Sequence, residues 1–350
     1  MAVNPEMLIL AREAEGYSVR AFAEEIGVNH STLSRYESGL IPVPDAFVEL
    51  VSQKLNRPVS YFHRSGKRYD ASGNFHRKRA NMSAKHLKKM HAKINEIRLQ
   101  AAALLEWADV DTDSAFFRLD QRDFGGPEGV ARELRRLWQL PSGPVNNVID
   151  VIEGGGGVVF TCDFETTGID GVSQWPLDDE SMPPVFFINS KKPGDRFRFT
   201  LSHEIAHVVM HHLPSPDIEG DADRFAAEFL MPEADIIEEL EDMTIEKAAD
   251  LKSRWRTSMA ALIRRARDLG VLSQSRYTNL MKRMSSLGYR KCEPVPLPCE
   301  EPALFDAILK VSRQDLGKSD HEMCEILSVT PSTLGHRFGY GQSGFRLRLG

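Results

Sequence analysis

Residues 203–207 read His-Glu-Ile-Ala-His, and Glu219-Gly-Asp-Ala-Asp223 follows a short way on. Histidines four apart lie on one face of a helix. That requires a helix here and a second segment opposite it, because two imidazoles do not complete a metal's coordination. Thr200-Leu-Ser202 leads into the motif, and Val208-Val-Met210 continues an apolar face that a core can bury. Glu204, one step round the helix, is the expected general base beside a zinc ion held by His203 and His207.

A second helix is expected from Glu219 to Met231, ended by Pro232. Ala222 and Ala226 are small enough for the two helices to approach closely, which brings Glu219, near the helix start, to the metal as third ligand. Asp223 is one turn on, where it can hydrogen-bond a ligand histidine from behind. Three protein ligands leave one position open, the layout of catalytic rather than structural zinc. His211 and His212 are candidates for stabilising a developing oxyanion, although a helix C-terminus also favours histidine.

The runs Pro184–Asn189, Arg196–His207, Glu219–Ala226 and Phe229–Pro232 resemble the ImmA/IrrE metallopeptidase family over roughly residues 125–235. The resemblance implies a small zincin-like domain, a β-sheet packed on the helix that bears the histidines. Gly157–Cys162 and Val185–Ile188, short and rich in β-branched and aromatic residues, read independently as buried strands. Relatives commonly carry Glu where Asp221 stands; the E-x-x-A-D spacing used by gluzincin-like sites makes Glu219 the expected ligand.

The N-terminus carries a separate signal. Val19 to Glu37 reads as helix, tight turn, helix, with Ser18 as N-cap, Ala23 where the helices cross and Gly27 in the turn. Residues 5–62 resemble the phage-repressor-like (Xre) helix-turn-helix family, in which Arg12 and Glu37 match positions that pair. The second helix of such a motif enters the major groove of duplex DNA. Asn29, His30, Ser31, Thr32 and Arg35 are the expected DNA-binding residues. Val19 replaces the phosphate-clamping Gln of many relatives.

With 350 residues, 41% hydrophobic and 27% charged, the chain is long enough for two or three soluble domains. No apolar run approaches a membrane span, no signal peptide is apparent, and Cys162, Cys292, Cys299 and Cys324 suggest no disulfide framework. A cytoplasmic, nucleoid-associated location is expected. The net charge of −6 excludes a uniformly basic surface, but Arg64, Lys67, Arg68, Arg77, Lys78, Arg79, Lys85, Lys88, Lys89 and Lys93 form a basic run. It reads as a linker leading into an amphipathic helix, Met82–Trp107, and is either a solvated face or a track for DNA phosphates. Gly154–Gly157 lacks the Lys-Ser/Thr of a phosphate loop and reads as a helix-to-strand turn.

The C-terminal third is helical. Pro294–Pro298 and Pro302 read as a stiff linker. Beyond it, Ser319–Arg337 again suggests helix, turn, helix, in a degenerate form suited to DNA contact, dimerisation or substrate docking. The expected fold is mainly α with a small α+β zincin-like domain. Its divisions are 1–65 helix-turn-helix, 66–110 basic linker and helix, 111–235 peptidase, 236–293 helical extension, and 294–350 linker and C-terminal motif. The function these signals imply is a DNA-associated zinc endopeptidase that cleaves a helix-turn-helix repressor in a stress, mobile-element or phage-defence response. Its expected partners are duplex DNA, a protein substrate and a second copy of itself, with no membrane. The alternative is a non-proteolytic DNA-binding regulator whose zinc domain is a sensor or scaffold.

Overall fold

The computed structural model describes residues 2–69, 83–108, 115–164, 168–175, 182–212, 215–337 and 346–348. The fold is dominated by helices, with a single small sheet among the described residues. No described helix is long and apolar enough to cross a membrane.

The N-terminal helices are α1 (Pro5–Ala14), α2 (Val19–Glu25), α3 (His30–Glu37) and α4 (Asp45–Leu55), followed by a 3-10 turn at Val59–His63. Asn4, Ser18 and Asn29 cap α1, α2 and α3 by accepting backbone N–H bonds that the helix starts leave unpaired. Gly27 turns between α2 and α3 at φ +70°, a conformation cheap only for glycine. Arg12 donates two hydrogen bonds to Glu37, the one from Nη2 at 2.8 Å, locking α1 to the end of α3. Leu10, Phe22, Leu33, Val51 and Phe62 fill the core between them.

Helix α5 (Ala84–Trp107) is the hub of the molecule. One side, with Ala92 and Leu99, closes the N-terminal core. The other, with Met90, Ile94, Ile97 and Ala101, packs in a second core with the sheet. It is therefore not an amphipathic connector with a solvated face, since every residue from Met90 to Ala101 is buried. Several members of the basic run are likewise turned onto the protein itself. Lys93 is 3% exposed, Arg64 donates to the Leu99 and Leu327 carbonyls, and Arg68 and Lys88 both pair with Glu13. Arg77, Lys78 and Arg79 lie outside the described residues.

Next come α6 (Pro127–Leu137), α7 (Val148–Gly154), β1 (Val158–Asp163), β2 (Gly171–Gln174), β3 (Val185–Asn189), α8 (Gly194–Met210) and α9 (Ile218–Leu230). A short helix, α10 (Glu233–Ile236), leads to α11 (Ile245–Trp255), α12 (Met259–Asp268) and α13 (Gln274–Ser286). The chain ends with α14 (Leu304–Gln314), α15 (Asp320–Leu327), α16 (Pro331–Arg337) and β4 (Arg346–Arg348).

The strand order is β2-β3-β1-β4, with β1 parallel to both β3 and β4 and β2 antiparallel to β3. Alternate side chains serve different cores. Val159, Phe186 and Ile188 pack with α8, while Val158, Phe160, Val185 and Phe187 pack with α5, α14 and α15. Both faces being covered, the strands read as continuous apolar runs. The core around α8 extends through Trp255, Leu262 and Met284, so α11–α13 share it with the helices of the His-Glu motif.

The Pro-rich segment after Glu293 is a strap lying on this core rather than a spacer. Glu293 accepts from the Met259 and Ala260 N–H groups and pairs with buried Lys252 at 2.8 Å. Glu300 accepts from the N–H groups that open α7 and pairs with Arg198 of α8, which is fully buried. Gly194 opens α8 directly beneath the Leu297 and Pro298 carbonyls, where a β-carbon would collide.

Candidate metal centre

Helix α8 carries His203, Glu204 and His207, with its apolar residues Leu201, Ile205 and Val209 anchored in the core. Helix α9 starts at Asp217, whose carboxylate caps the Gly220 N–H, and its first turn holds Glu219 where the helix dipole favours an anion. Ala206 and Ala222, both fully buried, occupy the core that the two helices share.

His203 Nε2 and His207 Nε2 stand 3.1 Å apart. The Glu219 oxygens are 3.5 Å from His203 Nε2 and 3.6 Å from His207 Nε2. Donors each about 2.1 Å from a tetrahedral zinc are about 3.4 Å apart. The spacing and the donor set therefore fit such an ion. Among the described residues these three form the group able to hold a metal. Both histidines are buried while the Glu219 side chain is 42% exposed, so the centre opens towards solvent past α9.

The surroundings orient the imidazoles. His203 Nδ1 is 3.0 Å from Asp223 Oδ1, and Asp223 is itself 3.6 Å from Arg264. Burial lowers the His203 pKa, but hydrogen bonds to Asp223 and Glu219 outweigh it and push the value up to about 9. The pocket thus favours a positive charge at this point. His207 Nδ1 faces His211 Nδ1 at 2.6 Å. If His207 binds through Nε2, its Nδ1–H donates to a neutral His211. Burial holds His211 neutral, with a pKa lowered to about 4. His211 therefore lies behind a ligand rather than beside the open position, and the oxyanion role considered for it does not fit this geometry.

Asp221 points elsewhere: it accepts from Gln121 Nε2 at 2.9 Å, from Arg224 at 2.8 Å and from the Ser215 hydroxyl. Glu204 is buried next to the pair of imidazoles. Burial raises its carboxyl to about 7, against the lowering influence of His203 and a 2.6 Å hydrogen bond donated by Ser173 Oγ. Ser173 comes from β2, the sheet edge that passes over α8. Gly171 permits that approach: a β-carbon there would stand 2.8 Å from Thr200 Cγ2 and 3.3 Å from Glu204 Cγ.

Residues 153–267 match the family model of the IrrE N-terminal-like domain, and residues 8–62 match that of the helix-turn-helix. The chain thus carries an N-terminal segment that matches a helix-turn-helix and a central one that matches an IrrE N-terminal-like domain. No curated protein matched it.

The matched IrrE-like segment runs from the end of α7 to α12 and so includes α11 and α12, which share the core of the metal centre. Neither Ser173 nor the placement of His211 was foreseen. Strand β2 has four residues, too few for alternation to stand out, and the ring nitrogen that a histidine offers its neighbour depends on tertiary packing. In the helix-turn-helix domain, His30, Ser31 and Arg35 lie exposed along α3, with Thr32 half-buried. Asn29 is exposed too, but its Oδ1 is engaged as the α3 cap, accepting from the Ser31 N–H at 2.9 Å and the Ser31 hydroxyl at 2.8 Å.

Proposed function

We propose that this chain is a DNA-associated, zinc-dependent endopeptidase that regulates transcription by cleaving a helix-turn-helix repressor, in a stress, mobile-element or phage-defence response. The observation that carries the reading is the convergence of His203, His207 and Glu219 with a buried Glu204 beside them. A structural metal needs no neighbouring base, whereas hydrolysis does.

In this reading His203, His207 and Glu219 hold Zn2+. The bound ion supplies Lewis-acid polarisation of a peptide carbonyl. Glu204 takes the proton of the attacking water and later returns it to the departing amine. Burial, which raises its carboxyl, favours its holding a proton between the two transfers. Ser173 fixes the carboxylate through Oε2, leaving Oε1 to handle the proton. Asp223 and His211 hold the two imidazoles in register. The helix-turn-helix brings the enzyme to DNA in the cytoplasm, with Asn29, His30, Ser31, Thr32 and Arg35 at the duplex and a homodimer spanning paired half-sites.

The test is Glu204→Gln in cells. New protein N termini within a helix-turn-helix protein are expected with the wild type and absent in the variant, while both purified proteins hold one zinc per chain. Identical N termini in the two strains would leave a DNA-binding regulator with a non-catalytic zinc domain.

A further inference from the structure

The C-terminal motif repeats the N-terminal one residue for residue. Ser18 to Ser34 aligns without a gap on Ser319 to Gly335. Ser18 caps α2 by accepting from the Ala21 N–H at 3.1 Å, and Ser319 caps α15 by accepting from the Glu322 N–H at 3.3 Å. Buried Phe22 and Ala23 correspond to buried Met323 and Cys324. Gly27 turns the chain at φ +70° and Ser328 at φ +51°. The Val28 N–H reaches the Ala23 carbonyl at 3.0 Å, and the Val329 N–H reaches the Cys324 carbonyl at 3.0 Å. Asn29 caps α3, and Thr330 caps α16 by accepting from the Thr333 N–H at 3.3 Å. Leu33 and Leu334 plug the two units from the same place, 1% and 2% exposed. What looked degenerate in composition is a complete helix-turn-helix in geometry.

The outward faces correspond as well. Ser31 and Ser34 of α3 are exposed, as are Ser332 and Gly335 of α16. From Ile326 to Gly350 the sequence contains no Asp or Glu and carries His336, Arg337, Arg346 and Arg348, in a chain whose net charge is −6. The acids of α15 do not oppose this. Asp320 is 3.5 Å from Arg313, Glu322 binds Lys318 at 2.8 Å, and Glu325 takes the place that Glu24 has in the first unit.

The second unit is also fixed in space. Met323, Leu327 and Leu334 share a core with Ile94 and Ile97 of α5, whose other side holds the first unit. The units approach each other where Asn56 Nδ2 lies 3.4 Å from Ser332 Oγ. Beyond α16, β4 pairs with β1 and ties the end down.

We propose that α15, its turn and α16 form a second DNA-reading unit, with duplex DNA against the exposed face of α16 at a separation from α3 set by α5. A second unit held this way favours an asymmetric pair of contacts within one chain. The partner's class follows from the acid-free, basic sequence and from the repeated turn geometry.

The experiment uses the full-length, zinc-loaded chain and a labelled random-sequence duplex of about 40 base pairs, long enough to offer successive major-groove turns. Binding is followed by anisotropy across a salt series for wild type, Ser332→Glu, Gly335→Glu and Arg35→Glu. A melting curve for each variant controls for folding, and Gly335→Glu, at an exposed position where a β-carbon meets nothing within 4 Å, keeps the test decisive should Ser332→Glu disturb the contact with Asn56. The proposal expects each C-terminal substitution, which sets a carboxylate against the phosphates, to weaken binding about tenfold or more. Combining either with Arg35→Glu should weaken binding further. Affinity and salt slope equal to wild type in both C-terminal variants would overturn it and point to a protein partner for α16. A wild-type chain that binds no duplex would overturn it as well, and would leave the cleavage test of Glu204 unaffected.

Discussion

His203 sits between two carboxylates, and its environment distinguishes a metal pocket from a pair of buried histidines. One nitrogen faces Glu219 and the other Asp223, so the ring is aimed before any cation arrives. Asp223→Asn should loosen that aim and lower zinc affinity by roughly 10–100-fold; chelator competition on the purified protein reads this directly, and unchanged affinity would remove Asp223 from the site. Ser173→Ala should reduce the turnover of a cleaved peptide by about tenfold, the loss of one hydrogen bond to a charged group. Zinc content should stay at the wild-type value, and Ser173→Thr should restore most of the rate. A rate unchanged in Ser173→Ala would mean that Glu204 is held by packing alone. The histidine spacing and the Glu219 offset were readable as local periodicity. Ser173 was not, because its link to Glu204 depends on a strand pairing distant in sequence.

At the scale of elements, α5 is decided by charge as much as by apolar packing. Glu96, 1% exposed, receives Arg57 at 2.8 and 3.0 Å and the Tyr61 hydroxyl at 3.1 Å. This cluster docks the helix-turn-helix on α5. Glu96→Ala leaves buried Arg57 with Glu15, 3.0 Å away and partly exposed, as its remaining carboxylate, and should cost about 3 kcal/mol, the low end for breaking a buried pair. Exchanging both residues for apolar ones should cost less than either single change. Denaturant melts of the three variants decide the matter, and additive losses would show that the pair is not coupled. The helical period of α5 was legible in the sequence. Its burial on both sides was not, because it depends on partners from other segments: Arg64 turns onto the Leu99 and Leu327 carbonyls, and Arg68 and Lys88 onto the Glu13 carboxylate.

For the whole molecule, the C-terminal region completes a core rather than trailing from one. Phe305, Leu309, Met323 and Leu327 cover the sheet face formed by Phe160 and Phe187. A chain ending at Glu293 should therefore lose the sheet's cover and Glu300's hold on Arg198. It should be insoluble or melt at least 10 °C below the full chain, a shift of only a few kcal/mol for a protein of this size. A soluble truncation with the wild-type melting temperature would show that this region is dispensable for folding.

What the sequence determined by itself is what short-range spacing encodes. It placed caps such as Ser18 and Ser319 and the turn at Gly27. It set His203, Glu204 and His207 on one helix and a carboxylate at the start of the next. Each follows from backbone sterics and helical period within a few residues. Only the tertiary structure decided that Asp221 turns away, that Arg64 and Lys93 of the basic run are drawn inward, that the Pro-rich segment straps α7 and α8, and that the second motif is packed onto α5. These depend on desolvation and on partners far away in the chain, where a charge goes inside only if the fold brings an opposite charge to meet it.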